Sequence, residues 1–389
     1  MGKGVRFTFL AGFPGRWLAW LAVLVLLVTP VLMGGCQNGG NSSSGVQQER
    51  EDQGTGSPPA LDSNKATQAT AQGLNQGDTA GGKPEENLDL VSSPLTGLQV
   101  PRDLLQRRPV AVVIGNNPKA RPQAGLQEAD LVFEVLVEGG ITRFLAFYLG
   151  GEPELVGPVR SARHYFIDLV LGLDAVFAHT GGSPYAGKDI ARFHVPDFDD
   201  VLGTGFGAFW LDKERERPNS TYTSIPRLRS LSRQRGFEKP DPVVEAPFEH
   251  RSGEFFGPQA EEIKIHFPGY LGYTVEYKYT PTGKYLRSGD GKPHRDAADG
   301  EQLRAENIIV QFTKTWPIPG DQEGRLEMEL TGEGEIQVFS RGVQREGVWK
   351  KESRQAPIRY FDQEGKPLVL APGKTWVAIV PPGTLVEVK

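Results

Sequence analysis

The 389-residue sequence predicts an α+β protein of two domains, an N-terminal mixed α/β domain and a C-terminal mainly β domain, behind a signal peptide and a disordered tether. Three observations carry this prediction. An apolar run near the amino end gives way to a long stretch almost without large apolar side chains. From residue 94 to about 240, short apolar strands alternate with segments of helical periodicity. Beyond residue 240 helical signals nearly vanish, and strands follow one another between glycine-bearing turns. The boundaries are 1–35 for the leader, 36–92 for the tether, 93–240 for the first domain and 241–389 for the second.

Lys3, Arg6 and Arg16 precede the run "WLAWLAVLVLLVTPVLM", the basic-then-apolar pattern of an export signal. The run contains Pro30 and is short for a bilayer core of about 30 Å at a rise of about 1.5 Å per residue. Met33-Gly34-Gly35-Cys36 resembles the lipobox of bacterial lipoproteins, with methionine where leucine is usual. That resemblance implies cleavage before Cys36 and diacylglycerol on its sulfur, with palmitate among the acyl chains. Lipid attachment is preferred to an uncleaved membrane helix and to simple cleavage leaving a free thiol. Cys36 is the only cysteine, so no intramolecular disulfide forms, and it lies outside the folded body, which removes it as a catalytic thiol. The residues after it, rich in Gly, Ser, Asn, Gln and Thr, bury too little surface to offset chain entropy. Such a tether of about 50 residues reaches roughly 5–6 Å times the square root of its length.

In the first domain "RRPVAVVIGNN" places a buried strand at Val110–Ile114 ahead of a turn. "QAGLQEAD" reads as a short helix. Leu131–Val137 and Ile141–Leu149, separated by Gly139-Gly140, read as a hairpin. Helical spacing of Ala162, Tyr165, Phe166, Leu169 and Leu173 follows, with Ser161 as the expected N-cap. "AVFAHTGGSP" is a strand ending in a turn, and "YAGKDIARF" and "IPRLRSLSRQRG" are two more helices. The second domain alternates Val275, Tyr277 and Tyr279 with polar partners, turns at Pro281-Thr282-Gly283, and adds strands in "NIIVQF", "EGEIQVF", "IRYFD" and "TWVAIV". A sandwich or open barrel is expected there.

The blocks "RPQAGLQEADLVFEVLVEGGITRFLAFYLG", "GPVRSARHYF", "HTGGSPYAG" and "EGVWKKESRQAPIRYFDQEGKPLVLAPGKTWVAIVP" resemble the DUF3048 family of Gram-positive lipoproteins, over about residues 94–389. The resemblance implies a two-domain lipoprotein on the extracytoplasmic face of the cell membrane, held there through lipidated Cys36. It brings no activity with it.

Chemistry therefore rests on side chains. There is no H-E-x-x-H, S-x-x-K, G-x-S-x-G or G-x-x-x-x-G-K-[ST], so the commonest protease, acyl-transfer, hydrolase and phosphate-loop readings lack support. No cofactor motif is present. Removing Lys3, Arg6 and Arg16 with the leader makes the net charge of −5 more negative by three, which argues against nucleic acid as a partner. The densest polar cluster is "GPVRSARHY". Arg160 and Arg163 suit bidentate capture of carboxylate or phosphate, and Arg143, Ser161 and His179 are expected near them in an anionic-ligand cleft. The alternative is that Arg143 pairs with Glu134 or Glu138, and the other arginines with other acids, to fix the fold. His294, with Arg295, Asp296 and Asp299, stands on a polar loop and joins the ligand-binding candidates. His164, His179 and His194 recur without a short ligand pair, so no metal site is assigned. Trp349, Trp376, Tyr285 and Tyr360 are core residues or, less simply, a sugar-stacking surface.

The functional expectation is a binding or accessory module for envelope polymers, their precursors or an envelope protein. An envelope hydrolase or transferase using His179 or His294, and a purely structural interaction protein, are the alternatives.

Overall fold

The computed structural model describes residues 89–389 except 240, 241, 243, 270 and 271. The leader, Cys36 and most of the expected tether lie outside the described residues. Leu90–Ser92, assigned to the tether, instead pair antiparallel with Gln99–Pro101.

The first segment supplies β1 (Val110–Gly115), β2 (Leu131–Leu136), β3 (Thr142–Tyr148), α1 (His164–Gly172), β4 (Val176–His179), α2 (Pro184–Phe193), β5 (Asp197–Asp199) and α3 (Ile225–Arg235). The second supplies only strands among its described residues: β6 (Glu262–Phe267), β7 (Tyr273–Tyr279), β8 (Tyr285–Gly289), β9 (Asn307–Phe312), β10 (Gly332–Ser340), β11 (Val343–Lys351), β12 (Arg359–Asp362), β13 (Thr375–Val380) and β14 (Val386–Val388). The helix–strand alternation and the hairpin at Gly139-Gly140 match the sequence reading.

The second segment does not close into a sandwich or barrel of its own. Strands of both segments build one ten-stranded sheet in the order β12-β11-β10-β9-β13-β2-β3-β1-β4-β5. Its two halves meet at a parallel ladder in which Thr375 to Ile379 of β13 face Leu131 to Val135 of β2. Six other second-segment strands form a second sheet around β8-β7-β6-β14. β1, β2 and β3 are buried throughout, so both of their faces are covered. On one face Val113, Phe133 and Leu145 pack against Tyr165, Phe166 and Leu169 of α1. On the other, Val112, Val132 and Phe144 pack against Ile225 and Leu228 of α3 and against Ile265, Val275 and Tyr285 of the second sheet. That second sheet buries alternate residues, the period-two signature of a one-sided strand.

Two other expectations change. "QAGLQEAD" is not a helix: Gly125 adopts φ +83°, and the Gly125 and Gln127 N–H groups donate to the Asp296 carboxylate, which replaces helical partners. Ser161 does not cap α1. The helix starts at His164 after Arg163, because Ala162 is tied to Gly181 and Gly182 by backbone pairing. The caps of α2 and α3 follow the rules, with Ser183 Oγ accepting from Ala186 N at 3.1 Å and Ser224 Oγ from Arg227 N at 3.3 Å.

Candidate functional site

Side-chain parity on the β2–β3 hairpin sorts the charged candidates. Glu134 lies between Val132 and Leu136 and faces the second sheet, while Arg143 shares the parity of Leu145 and faces α1. Two clusters result, one on each face.

Toward α1, two guanidiniums, those of Arg143 and Arg163, meet one carboxylate, and a third, that of Arg160, lies close to Arg143. Glu138, at the hairpin turn, binds Arg163 in a two-pronged pair in which Arg163 Nε donates to Oε2 at 2.8 Å. Arg143 Nη2 stands 3.6 Å from Glu138 Oε1, and its Nη1 donates to the Ser161 carbonyl at 2.5 Å. Arg160 has no carboxylate partner among the described residues; its Nη1 donates to the Pro218 carbonyl at 2.6 Å and its Nε is buried without a partner. Burial lowers Arg143 to about 10. Burial, then the charge of Arg143, lowers Arg160 to about 10 as well. The Gly115 position is closed to a side chain by Arg160, since a Cβ there would stand 2.7 Å from Arg160 Cγ.

Toward the second sheet the polar groups form a closed ring. Arg287 occupies an inward position of β8, and its Nη2 donates to Glu134 Oε2 at 2.5 Å. Its Nη1 meets His294 Nδ1 at 2.7 Å, so His294 carries its proton on Nε2 and donates it to Gln123 Oε1 at 2.6 Å. Gln123 Nε2 donates to Asn116 Oδ1 at 3.1 Å, and Asn116 Nδ2 returns to Glu134 Oε1 at 3.0 Å. Burial alone would lower the Arg287 guanidinium, but Glu134, Tyr273 and Tyr277 reverse this and hold it well above its ordinary value. Burial, followed by the charges of Arg287 and Arg121, pushes His294 well below its ordinary value of 6.5. His294 is thus buried although its loop is polar, and it lines a cleft of about 530 Å³ between residues 118–122 and 289–295.

His179 lies in a third place, a cavity of about 470 Å³ at the carboxyl ends of the parallel strands β4 and β5 and the start of α2. Its Nδ1 meets the Gly181 carbonyl at 2.8 Å, while Asp197 Oδ2 stands 3.3 Å from Nε2 but out of line for a hydrogen bond. Asp199 is occupied by the N–H groups of Gly181 and Val201, at 2.7 and 2.8 Å. The cavity adjoins the Arg160 backbone through the Thr180 N–H, which donates to the Arg160 carbonyl at 3.0 Å.

The structure therefore brings together Arg143, Arg160, Ser161 and Arg163, sets His179 beside them across the backbone, and places His294 in a separate cleft. Arg121, Gln123 and Arg287, absent from the sequence-based candidates, complete the ring and its cleft; an arginine at an inward position of an alternating strand was the available signal. Trp349, Trp376, Tyr285 and Tyr360 are 3% exposed or less and hold the core, which removes the sugar-stacking surface. Among the described residues, no three His, Cys, Asp or Glu side chains are placed to share a metal ion, and no helix is long and apolar enough to cross a membrane.

Residues 95–238 match the family described as "Protein of unknown function (DUF3048) N-terminal domain", and residues 263–377 match its C-terminal domain. The protein titled "Putative lipoprotein YerB" of Bacillus subtilis is 37% identical over 296 residues, covering 75% of this chain and 86% of that one. The crystal structure of YerB from Bacillus subtilis superposes with a TM-score of 0.68 at 34% identity, covering 76% of this chain and 99% of that one.

Proposed function

The chain belongs to the DUF3048 family, and from that premise we propose that it is a lipid-anchored extracytoplasmic lipoprotein whose first domain binds an anionic component of the cell envelope. The lipoprotein part is supported by the name of its Bacillus subtilis relative and by the lipobox-like Met33-Gly34-Gly35-Cys36. The binding part is carried by one observation: two guanidiniums, Arg143 and Arg163, share the carboxylate of Glu138, and the neighbouring Arg160 has no acid of its own among the described residues. Excess positive charge held partly out of water is costly, and a bound oxyanion relieves it. An anionic wall polymer or precursor is the ligand class that fits.

Calorimetric titration with a poly(glycerol phosphate) tests the binding. Arg160→Ala weakens it by about tenfold or more, equivalent to about 1.4 kcal/mol, and leaves the melting temperature close to wild type. Loss of thermal stability without selective loss of binding would assign the cluster to folding alone. Labelled palmitate incorporation that disappears in Cys36→Ser tests the anchor, and labelling that persists removes it.

A second reading, an envelope hydrolase or transferase, is favoured by the His179 cavity. Ligand sites in open α/β sheets lie beyond the carboxyl ends of parallel strands, and here an imidazole stands there beside Asp197. Turnover of wall fragments that His179→Ala abolishes would establish it; unchanged turnover in that variant, or none in wild type, would dismiss it.

A further inference from the structure

The cleft between residues 118–122 and 289–295 reverses the overall sign of the molecule. Arg121, Lys292 and Arg295 line it against one carboxylate, Asp290, in a chain of net charge −5. Asp290, about half exposed, accepts from Arg121 Nη1 at 3.4 Å, and Lys292 and Arg295 have no carboxylate partner among the described residues. Arg121 is held in place beforehand. Its Nε donates to Asn116 Oδ1 and its Nη2 to the Asn116 carbonyl, each at 3.1 Å, and its guanidinium lies over the Tyr273 ring at 4.4 Å. An arginine fixed by packing loses little freedom when it captures an anion.

The opposite wall contributes Lys292 and Arg295, both exposed. Arg295 is steadied through its Nη1, which donates to the Gly300 carbonyl at 2.8 Å. The floor is His294, whose two ring nitrogens are already occupied by Arg287 and Gln123, so it offers a neutral surface and no competing charge. The field of Arg121 extends to that floor, where it adds to burial and Arg287 in holding the imidazole neutral. Pro118, Pro122 and Pro293 supply stiff apolar walls. A volume of about 530 Å³ is that of a small organic molecule rather than a bare ion.

From these features we infer that this interdomain cleft is a second binding site, taking an organic oxyanion whose phosphate or carboxylate is held by Arg121, Lys292 and Arg295. The inference does not depend on the Arg160 cluster, which lies on the other side of Gly115.

The test uses glycerol 3-phosphate and N-acetylglutamate as soluble probes and phosphatidylglycerol vesicles as the lipid source, at low salt. Lys292→Glu/Arg295→Glu reverses two exposed charges, so circular dichroism and melting temperature stay at wild-type values while affinity falls by about tenfold or more. Loss of vesicle binding alone assigns the oxyanion to a lipid headgroup, and loss of soluble-probe binding assigns it to a free solute; either sustains the site. The inference is overturned if the reversal leaves both unchanged, or if wild type binds neither at concentrations up to about 10 mM. Arg160→Ala is run in parallel. Binding lost in Arg160→Ala but kept in the reversal sinks this site; the opposite pattern sustains it, and the Arg160 cluster is judged separately by its poly(glycerol phosphate) titration.

Discussion

Two glutamates four residues apart on one hairpin, Glu134 and Glu138, meet opposite electrostatic conditions. Glu134 is 2% exposed and sits in a ring where one carboxylate faces one guanidinium and the intervening amides and imidazole are hydrogen bonded. Glu138 is a quarter exposed and faces two guanidiniums, with a third nearby that has no acid. The first arrangement is complete and locks the two segments together, since Arg287 and His294 come from the second and Glu134 and Gln123 from the first. The second is left open by one or two charges. Buried charge that is matched holds structure; buried charge that is unmatched leaves room for a ligand.

The contrast is broken most directly at Glu134. Glu134→Ala strands the Arg287 charge between the sheets and is expected to cost about 3–5 kcal/mol in urea unfolding. The paired replacement Glu134→Leu with Arg287→Met recovers most of that loss. A cost under about 1 kcal/mol for the single change would mean the ring is not a fastening.

Glu138→Gln is expected to cost less, about 1.5–3 kcal/mol, because water reaches this carboxylate and shares its work. Added phosphate should then stabilise Glu138→Gln more than wild type, as it takes the carboxylate's place among the arginines. Equal losses at Glu134 and Glu138, with no phosphate effect, would erase the distinction between closed and open clusters.

The smallest effect is in pH. His294 is neutral in the fold at values where the unfolded chain takes up a proton, so its contribution is complete above about 6.5 and declines as pH falls below it. The unfolding free energy of wild type should therefore approach that of His294→Gln by up to about 1.4 kcal/mol per pH unit below 6.5. A gap that stays constant with pH would show that the ring does not exclude a proton.

Local pattern made the elements of the fold readable, and long-range pairing did not follow from it. The apolar run of β1, the Gly139-Gly140 hairpin and the Ser183 and Ser224 caps each announce themselves within a few residues. Nothing near Thr375–Val380 indicates that it pairs with Leu131–Leu136, so the second segment reads as a separate β unit when five of its strands extend the first segment's sheet. "QAGLQEAD" misleads for the same reason, because the Asp296 carboxylate that shapes it arrives from far along the chain. The arginines around "GPVRSARHY" were legible as a cluster, since they are close in sequence to one another and to the hairpin. The cleft with His294 was not: "GKPHRDAADG" has the composition of a solvated loop, and its burial comes from Gln123 and Arg287.

The parallel ladder between β13 and β2 also sets an order of events during biosynthesis. A chain delivered amino end first presents the apolar edge of "LVFEVL" with its backbone donors and acceptors open, and their partner, Thr375–Val380, lies far along the chain. Severing the chain near residue 240 would leave the leading piece with a sticky seam in its middle layer rather than a self-sufficient module. Completion of the sheet thus waits on a distant stretch, and any holdase that accompanies the nascent chain has an evident segment to shield until Thr375–Val380 arrives.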